Sequence, residues 1–182
     1  MSNKEHHDMK LIIFSGLPGA GKSKLASHAG NRLSLPVFAK DQLEAALWRA
    51  GVGPEMNSGS VAYDLLTSLA EEQLSLGISV ILDSVATSST IRETWRALAL
   101  KHGAAFMIVE CICSDEDLHK ERLTVRKRGI EGWPELSWGD VEEVRSRYET
   151  WSERRLIVDS VDDFNANAMK MIQYINFDII EE

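Results

Sequence analysis

The stretch Lys10-Leu-Ile-Ile-Phe-Ser-Gly-Leu-Pro-Gly-Ala-Gly-Lys-Ser23 lies near the start of the 182-residue chain and decides its fold. The first six residues are mostly apolar, as expected of a strand that is buried on both faces of a sheet. The remainder matches the pattern G-x-x-x-x-G-K-[ST] in full. Leu25, Ala29 and Leu33 follow at helical spacing. The stretch therefore predicts a strand, a glycine-rich turn and a helix, in that order.

A turn of this composition is suited to binding phosphate groups. Its glycines let the backbone curl so that successive N–H groups form an anion-binding nest, to which the following helix N-terminus adds partial positive charge. Lys22 can reach the β- and γ-phosphates of a nucleotide, and the Ser23 hydroxyl can ligate Mg²⁺. The alternative is a glycine-rich turn with an incidental lysine. The predicted ATP-binding residues of the turn are Gly16, Leu17, Pro18, Gly19, Ala20, Gly21, Lys22 and Ser23.

Composition limits the classes of function. Hydrophobic residues make up 44% of the chain and charged residues 26%, which is typical of a globular domain. The net charge of −8 argues against a broad basic surface for nucleic acid or anionic lipid. No segment approaches the ~20 apolar residues that a membrane span requires. Cys111 and Cys113 lie one residue apart in an apolar run, which is typical of reduced thiols, and we therefore expect a cytoplasmic protein.

Short apolar runs alternate with helical patterns along the rest of the chain. This alternation predicts βαβ units and a mostly parallel sheet that is covered on both sides. We expect a flexible lead over residues 1–9, a single domain over 10–177 and a tail over 178–182. Within the domain, the irregular stretch 126–140 is the predicted mobile lid.

Two carboxylates follow predicted strands. Asp83 ends the third strand and could hold Mg²⁺ together with Ser23; alternatively, it only caps the next loop. Because no second acidic residue follows Asp83, the pattern favours phosphate transfer to a bound acceptor over hydrolysis. Asp41 follows the second strand and could accept the proton of an acceptor hydroxyl, as a substrate-binding general base. It could equally be the N-cap of a helix, and the two roles are compatible.

Several arginines are candidates for contacting the transferred phosphate. Arg122 and Arg126 are four residues apart and share one helical face, and Arg128 follows in the predicted lid. We expect them to close over the phosphate, where positive charge stabilises a loose transition state. The alternative is a solvated helix end, where cations complement the helix dipole. Arg92 could contact substrate or phosphate, or could be a surface arginine.

These residues together resemble those of the small P-loop kinases of the AAA_33 type, which include chloramphenicol phosphotransferase, polynucleotide 5′-hydroxyl kinase and zeta-toxin-type kinases. The similarity rests on Phe14–Ser23, on Lys40-Asp41, on Val80–Asp83 and, for the lid helix, on Leu118–Arg126. It implies a three-layer αβα P-loop NTPase fold, with a parallel five-stranded sheet in the order 2-3-1-4-5. It also implies Mg·ATP as phosphate donor, a hydroxyl acceptor and Asp41 as the catalytic aspartate.

One departure from the family pattern concerns the acceptor. Polynucleotide kinases of this group often carry an arginine shortly after the aspartate, whereas here no arginine precedes Arg49. We therefore expect a kinase that acts on a small hydroxylated molecule, with Lys22, Asp41, Arg122 and Arg126 as catalytic residues. A polynucleotide kinase and a regulatory ATPase that controls a partner protein remain the open alternatives.

Overall fold

Five strands form one parallel sheet in the order β2-β3-β1-β4-β5, which confirms the predicted topology. The structure is a computed structural model that describes residues 9–125 and 127–178. The strands are β1 (Lys10–Ser15), β2 (Val37–Ala39), β3 (Val80–Asp83), β4 (Ala105–Ile112) and β5 (Leu156–Asp159). The helices are α1 (Lys22–Leu33), α2 (Lys40–Arg49), α3 (Ser58–Ser75), α4 (Ser89–Lys101), α5 (Glu116–Val125), α6 (Trp138–Ser146) and α7 (Phe164–Phe177), with a 3₁₀ turn at Pro54–Met56.

The register of the sheet aligns the carboxyl ends of three neighbouring strands. Phe14 of β1 lies opposite Asp83 of β3, and Asp83 lies opposite Ala39 of β2. The glycine-rich turn follows β1, a loop follows β3, and helix α2 follows β2. In an open parallel sheet, this edge is where ligands bind.

Helices cover both faces of the sheet. Successive residues of β1 point to opposite faces, and because they are apolar, each face needs a helix layer to bury them. Ile12 and Phe14 pack with residues of α1 and α7 in one core. Leu11 and Ile13 pack in the other core, where Trp95 of α4 is fully buried. Since β1 contributes residues to both cores, its apolar run is continuous and does not alternate with polar residues.

The predicted helix cap at Asp41 is wrong. Helix α2 begins at Lys40 directly after β2, so that Ala39 occupies the N-cap position and Asp41 lies in the first turn without capping it. The carboxylate there still interacts favourably with the helix dipole. At α5, Asp115 Oδ1 accepts from the N–H of Leu118 at 2.9 Å, as an N-cap residue does.

The chain after α6 is fastened to the end of β1 by buried side chains. The Tyr148 hydroxyl lies 2.9 Å from Ser15 Oγ and donates to Glu110 Oε1 at 2.8 Å. Trp151 is 3% exposed and donates its Nε1–H to the Tyr148 oxygen at 2.9 Å. This cluster, the Tyr148 anchor, fixes where α6 ends relative to the glycine-rich turn.

Both cysteines are free thiols, as predicted. Burial raises the pKa of the Cys111 thiol to about 12, so that this group is neutral at physiological pH. Among residues 9–125 and 127–178, no helix combines the length and the apolarity that crossing a membrane requires.

The backbone at Gly16 tolerates no side chain. Its φ is +128°, and a Cβ at this position would lie 2.0 Å from the carbonyl oxygen of Cys111 in β4. We expect Gly16→Ala to lower the free energy of unfolding by more than about 4 kcal/mol, because the backbone of β1 or β4 must shift.

Gly77→Ala is the matched control. Gly77 also has a positive φ, of +77°, but a Cβ there would meet no atom within 4 Å. Only backbone strain then applies, at a cost of about 1 kcal/mol. Urea denaturation of the two variants measures the difference, and equal losses of stability would contradict the proposed contact with β4.

Candidate active site

A cavity of about 460 Å³ opens at the carboxyl edge of the sheet. Its wall brings together the glycine-rich turn, the residues after β2 and β3, and the segment 127–137 between α5 and α6. The sequence-predicted residues in this wall are Pro18, Gly19, Gly21, Lys22, Ser23, Asp41, Asp83 and Arg128. Most of the candidate phosphate, metal and base groups therefore share one cavity.

Lys22 is held inside the glycine-rich turn. Its side chain is largely buried, and its Nζ donates to the carbonyl oxygen of Leu17 at 3.1 Å. Burial lowers the pKa of Lys22 from its usual range, while the carboxylates of Asp83 and Asp41 oppose that shift. The two carboxylates thus favour the charged ammonium, the form that a phosphate group would meet.

The carboxylate of Asp41 is paired with an arginine from the segment 127–137. Arg128 Nη1 lies 2.9 Å from Asp41 Oδ2, and the side chains are 12% and 38% exposed, respectively. The Arg128 backbone N–H also donates to Glu135 Oε1 at 2.9 Å. Both residues line the cavity, so that the Arg128 guanidinium is held at the cavity wall by the Asp41 carboxylate.

A buried network that the sequence did not reveal supports the start of α2. Glu44 is 7% exposed and accepts from Lys40 Nζ and, at 2.9 Å, from Ser58 Oγ. Trp48 Nε1 donates in turn to Ser58 Oγ at 2.8 Å. The network satisfies both oxygens of Glu44 and balances the charge of Lys40, directly before Asp41. Only the tertiary contact between α2 and α3 assembles it.

The segment 127–137 packs on the same helix. The rings of Trp133 and Trp48 lie 4.8 Å apart, and Arg49 Nη1 donates to the Glu131 carbonyl oxygen at 2.6 Å. Lys40 Nζ lies 5.8 Å from the Trp133 ring. These contacts hold the segment against α2 and form one wall of the cavity.

Ser23 and Asp83 both line the cavity and carry oxygen donors. Mg²⁺ prefers oxygen ligands and usually takes one or two protein groups together with phosphate oxygens and water. Asp83 is 6% exposed at the end of β3, so that its position is fixed by the sheet. The hydroxyl and the carboxylate therefore fit the predicted metal role by donor chemistry.

The predicted lid arginines are separated. Arg122 Nη1 donates to Ser160 O at 2.9 Å and to Ser160 Oγ at 3.0 Å. It lines a second cavity, of about 860 Å³, that shares only Gly19 and Gly21 with the first. Arg126 lies outside the described residues. Arg128 is thus the lid arginine that the structure brings to Asp41.

Arg92 is engaged away from the cavity. It is 2% exposed, and it donates to the carbonyl oxygens of Ala86 at 2.8 Å and of Glu149 at 2.6 Å. Its guanidinium lies 3.9 Å from the centre of the Trp151 ring. These contacts join the loop after β3 to the chain after α6, and Arg92 is not among the residues that line the first cavity. The predicted substrate role therefore gains no support from its position.

His119 of α5 supports the glycine-rich turn from behind. It is 1% exposed, and its Nε2 lies 2.7 Å from the carbonyl oxygen of Pro18. Since a carbonyl oxygen only accepts, Nε2 carries the proton. The ring also meets the edge of Trp138, at 5.2 Å between centres. No sequence pattern indicates this contact, because His119 and Pro18 are 101 residues apart.

Comparisons with known proteins agree with this architecture. Residues 11–149 match the model of the family AAA_33, described as AAA domain. A “putative kinase” from Chloroflexus aurantiacus is 26% identical with a TM-score of 0.73, over 92% of this chain and 98% of that one. No curated protein matches the sequence at a significant level.

Two more distant structures share the fold. The APS kinase CysC of Mycobacterium tuberculosis is 20% identical, with a TM-score of 0.65, over 92% of this chain and 98% of its own. A gluconokinase from Sinorhizobium meliloti is 14% identical, with a TM-score of 0.66, over 95% and 99%. The fold is thus that of P-loop kinases along nearly the whole chain.

We predict that His119 orients the glycine-rich turn. In His119→Ala the Pro18 carbonyl loses its donor, and we expect the Kd for Mg·AMP-PNP to rise about 10-fold. His119→Gln, which retains an N–H donor, should recover part of the affinity. Calorimetric titration measures both variants, and thermal unfolding checks that each is folded. An unchanged Kd in folded His119→Ala would contradict the role.

Proposed function

We propose that this chain, which belongs to the AAA_33 family of AAA domains, is an ATP-dependent kinase that phosphorylates a hydroxyl group of a small molecule. The observation that carries the proposal is the shared cavity of Lys22 and Asp41. A phosphate-binding turn and a carboxylate that can accept a proton face the same space. Phosphoryl transfer to an alcohol needs these two groups together.

The nucleotide would span both cavities. Its phosphates would lie on the N–H groups of Gly16–Ser23, with Lys22 at the β- and γ-phosphates. Its base would enter the second cavity, which adjoins Gly19 and Gly21 and has apolar walls at Leu25 and Phe164. The APS kinase with the same fold has been solved with AMPPNP and APS, a donor analogue together with an acceptor, which supports a two-substrate arrangement.

Magnesium would be held by Ser23 and Asp83. When bound, it would neutralise charge on the donor phosphates. The residues themselves contribute a hydroxyl next to Lys22 and a carboxylate whose position is set by β3. Both groups are hard oxygen donors, as Mg²⁺ requires.

Asp41 would act as the general base. As the acceptor oxygen attacks the γ-phosphorus, its proton passes to Asp41, and the bond between that phosphorus and the bridging oxygen breaks. The bond electrons leave with ADP, and the acceptor becomes a phosphate ester. Positioning and charge stabilisation supply most of the rate enhancement in such a reaction.

Arg128 would exchange partners during the reaction cycle. Before ATP binds, it is paired with Asp41. A γ-phosphate carries more negative charge than a carboxylate and would attract the guanidinium, which frees Asp41 for the acceptor hydroxyl. The predicted lid over 126–140 would then act chiefly through Arg128, while Arg122 would serve the base side of the nucleotide.

Substitution of Asp41 tests the assignment. We expect Asp41→Asn to retain Mg·AMP-PNP binding and to lower kcat by about 10² to 10⁴-fold, because an amide cannot accept the proton. Lys22→Ala should instead weaken nucleotide binding as well. The exposed carboxylate of Asp64, in α3, gives the control Asp64→Asn, which should behave like the unsubstituted protein. Normal turnover by Asp41→Asn would show that another group is the base.

Substitution of Asp83 tests the metal site. We expect Asp83→Asn to raise the Mg²⁺ concentration for half-maximal activity about 10-fold or more, because a charged oxygen donor is lost. Excess Mg²⁺ should then restore part of the rate. A Mg²⁺ titration at saturating ATP measures this shift. An unshifted titration curve in a folded variant would exclude Asp83 from the metal site.

A further inference from the structure

We infer that Arg92 is a positioning residue that joins the loop 84–87 after β3 to the chain 147–151 after α6, and so sets where Arg128 lies over a bound nucleotide. The inference rests on the proposed function, because the loop and α6 both contribute to the wall of the first cavity. Three observations carry it: a buried guanidinium with acceptors on both segments, a strained residue in the loop, and main-chain bonds between the two segments.

Arg92 is a buried side chain of α4 that reaches both segments at once. It is 2% exposed, and its Nε donates to the carbonyl oxygen of Ala86 at 2.8 Å. Its Nη2 donates to the carbonyl oxygen of Glu149 at 2.6 Å, and the guanidinium lies 3.9 Å from the centre of the Trp151 ring. A guanidinium holds its N–H donors in one rigid plane, whereas a lysine ammonium is a point charge on a flexible stem. An arginine is therefore suited to keep the two carbonyl groups in a fixed relation.

Packing alone does not account for a charged side chain at this position. Burial lowers the pKa of the Arg92 guanidinium from its usual range, because the protein interior disfavours the charged form. An apolar side chain of similar volume would fill the same space without that cost. The hydrogen bonds that the guanidinium makes to two separate segments are what an apolar side chain cannot supply.

The loop that Arg92 holds contains a strained residue. Ala86 is fully buried and has a φ of +51°, in the left-handed region that residues other than glycine rarely adopt. Arg92 bonds its carbonyl oxygen, and the Tyr63 hydroxyl interacts with its backbone. The carbonyl oxygen of Val85, which lines the first cavity, accepts from Ser15 Oγ at 2.8 Å. Strain of this kind persists only where the surroundings enforce it, and it is concentrated at functional sites.

Main-chain groups join the same two parts of the chain. The Glu149 N–H donates to the carbonyl oxygen of Thr87 at 2.9 Å, and the Glu149 carboxylate accepts from the Ser89 N–H at 3.0 Å. The segment 127–137, which carries Arg128, leads directly into α6, and α6 leads into this attachment. The far end of α6 is thus fastened to the loop after β3, and Arg92 is the side chain that bonds both.

This attachment bears on the contact between Arg128 and the γ-phosphate. The segment 127–137 is held against α2 on one side, by the contacts of Trp133 and of the Glu131 carbonyl group. Through α6, Arg92 holds it on the other side. A segment that is fastened at both ends loses less conformational entropy when its guanidinium closes over a phosphate. Loss of the Arg92 bonds therefore weakens the γ-phosphate contact, while the α- and β-phosphates stay bound by the glycine-rich turn.

Arg92→Lys tests the positioning role, since it keeps the charge and removes the rigid plane of donors. Calorimetric titration measures the Kd of Mg·AMP-PNP and of Mg·ADP, and thermal unfolding checks the fold. We expect the Kd of Mg·AMP-PNP to rise about 10-fold and that of Mg·ADP to stay unchanged, because only the former carries the phosphate that Arg128 contacts. A purely structural role would weaken both alike. Equal changes for the two nucleotides, or no change for either, would overturn the inference.

Arg96→Ala is the matched control. Arg96 lies one turn after Arg92 on α4 and forms an ion pair with Glu153, slightly further along the chain after α6, but its side chain is half exposed. Exposed ion pairs contribute little, so that we expect both Kd values to stay within about 2-fold of those of the unsubstituted protein. A loss of Mg·AMP-PNP affinity as large as that of Arg92→Lys would show that any link from α4 to this chain suffices, against the specific role of Arg92.

A measurement on the unsubstituted protein does not depend on how the variant folds. Because coupling between two sites is reciprocal, Mg·AMP-PNP should slow amide hydrogen exchange at Glu149 about 5-fold more than Mg·ADP does. Equal exchange rates with the two nucleotides would reject the role of Arg92 and leave the kinase assignment standing. A protein that binds neither nucleotide would instead reject the proposed function itself.

Discussion

The pairing of three strands at one level of the sheet is the constraint on which the site depends. Phe14, Asp83 and Ala39 lie side by side across β1, β3 and β2. A slip of either neighbouring strand by one residue would turn its side chains to the opposite face. Asp83 would then leave the cavity, and the start of α2 would no longer face the glycine-rich turn. The buried, β-branched and aliphatic cores on both faces of β1 fix this register.

The site is electrostatically balanced before any ligand enters. Carboxylates face Lys22, Asp41 holds Arg128, and Glu44 holds Lys40. A charged group with low exposure lowers the free energy of unfolding unless an opposite charge compensates it in this way. Under the proposed function, a ligand would therefore bind by exchanging partners within this existing set of charges. A highly charged donor such as ATP, under the proposed function, could displace a carboxylate from Arg128 in such an exchange.

The elements formed by contiguous residues could be predicted from the sequence, whereas the tertiary contacts between distant residues could not. The glycine-rich turn could be predicted in full, because its pattern and its flanking elements are contiguous, and Asp41 could be assigned to the same edge because it follows a strand. The strand order came only from the family resemblance. The pairing of Arg128 with Asp41 joins residues 87 positions apart, and the support of Pro18 by His119 joins residues 101 positions apart. Residue spacing predicts contacts within one helix or strand, and it does not predict contacts over such separations. Arg92 was ambiguous in sequence because an arginine near a strand end serves structure and ligand equally well.

The Tyr148 anchor and the contact of His119 with Pro18 fasten the chain on both sides of Arg128. One attachment is at Ser15, the last residue of β1, and the other is at Pro18, within the glycine-rich turn. The segment that carries Arg128 is therefore attached on both sides to neighbouring positions of the chain, which limits the conformational entropy that it can lose on closing. In kinetic terms, the closure of Arg128 over the phosphate in the proposed reaction would be an intramolecular event, whose rate does not depend on protein concentration.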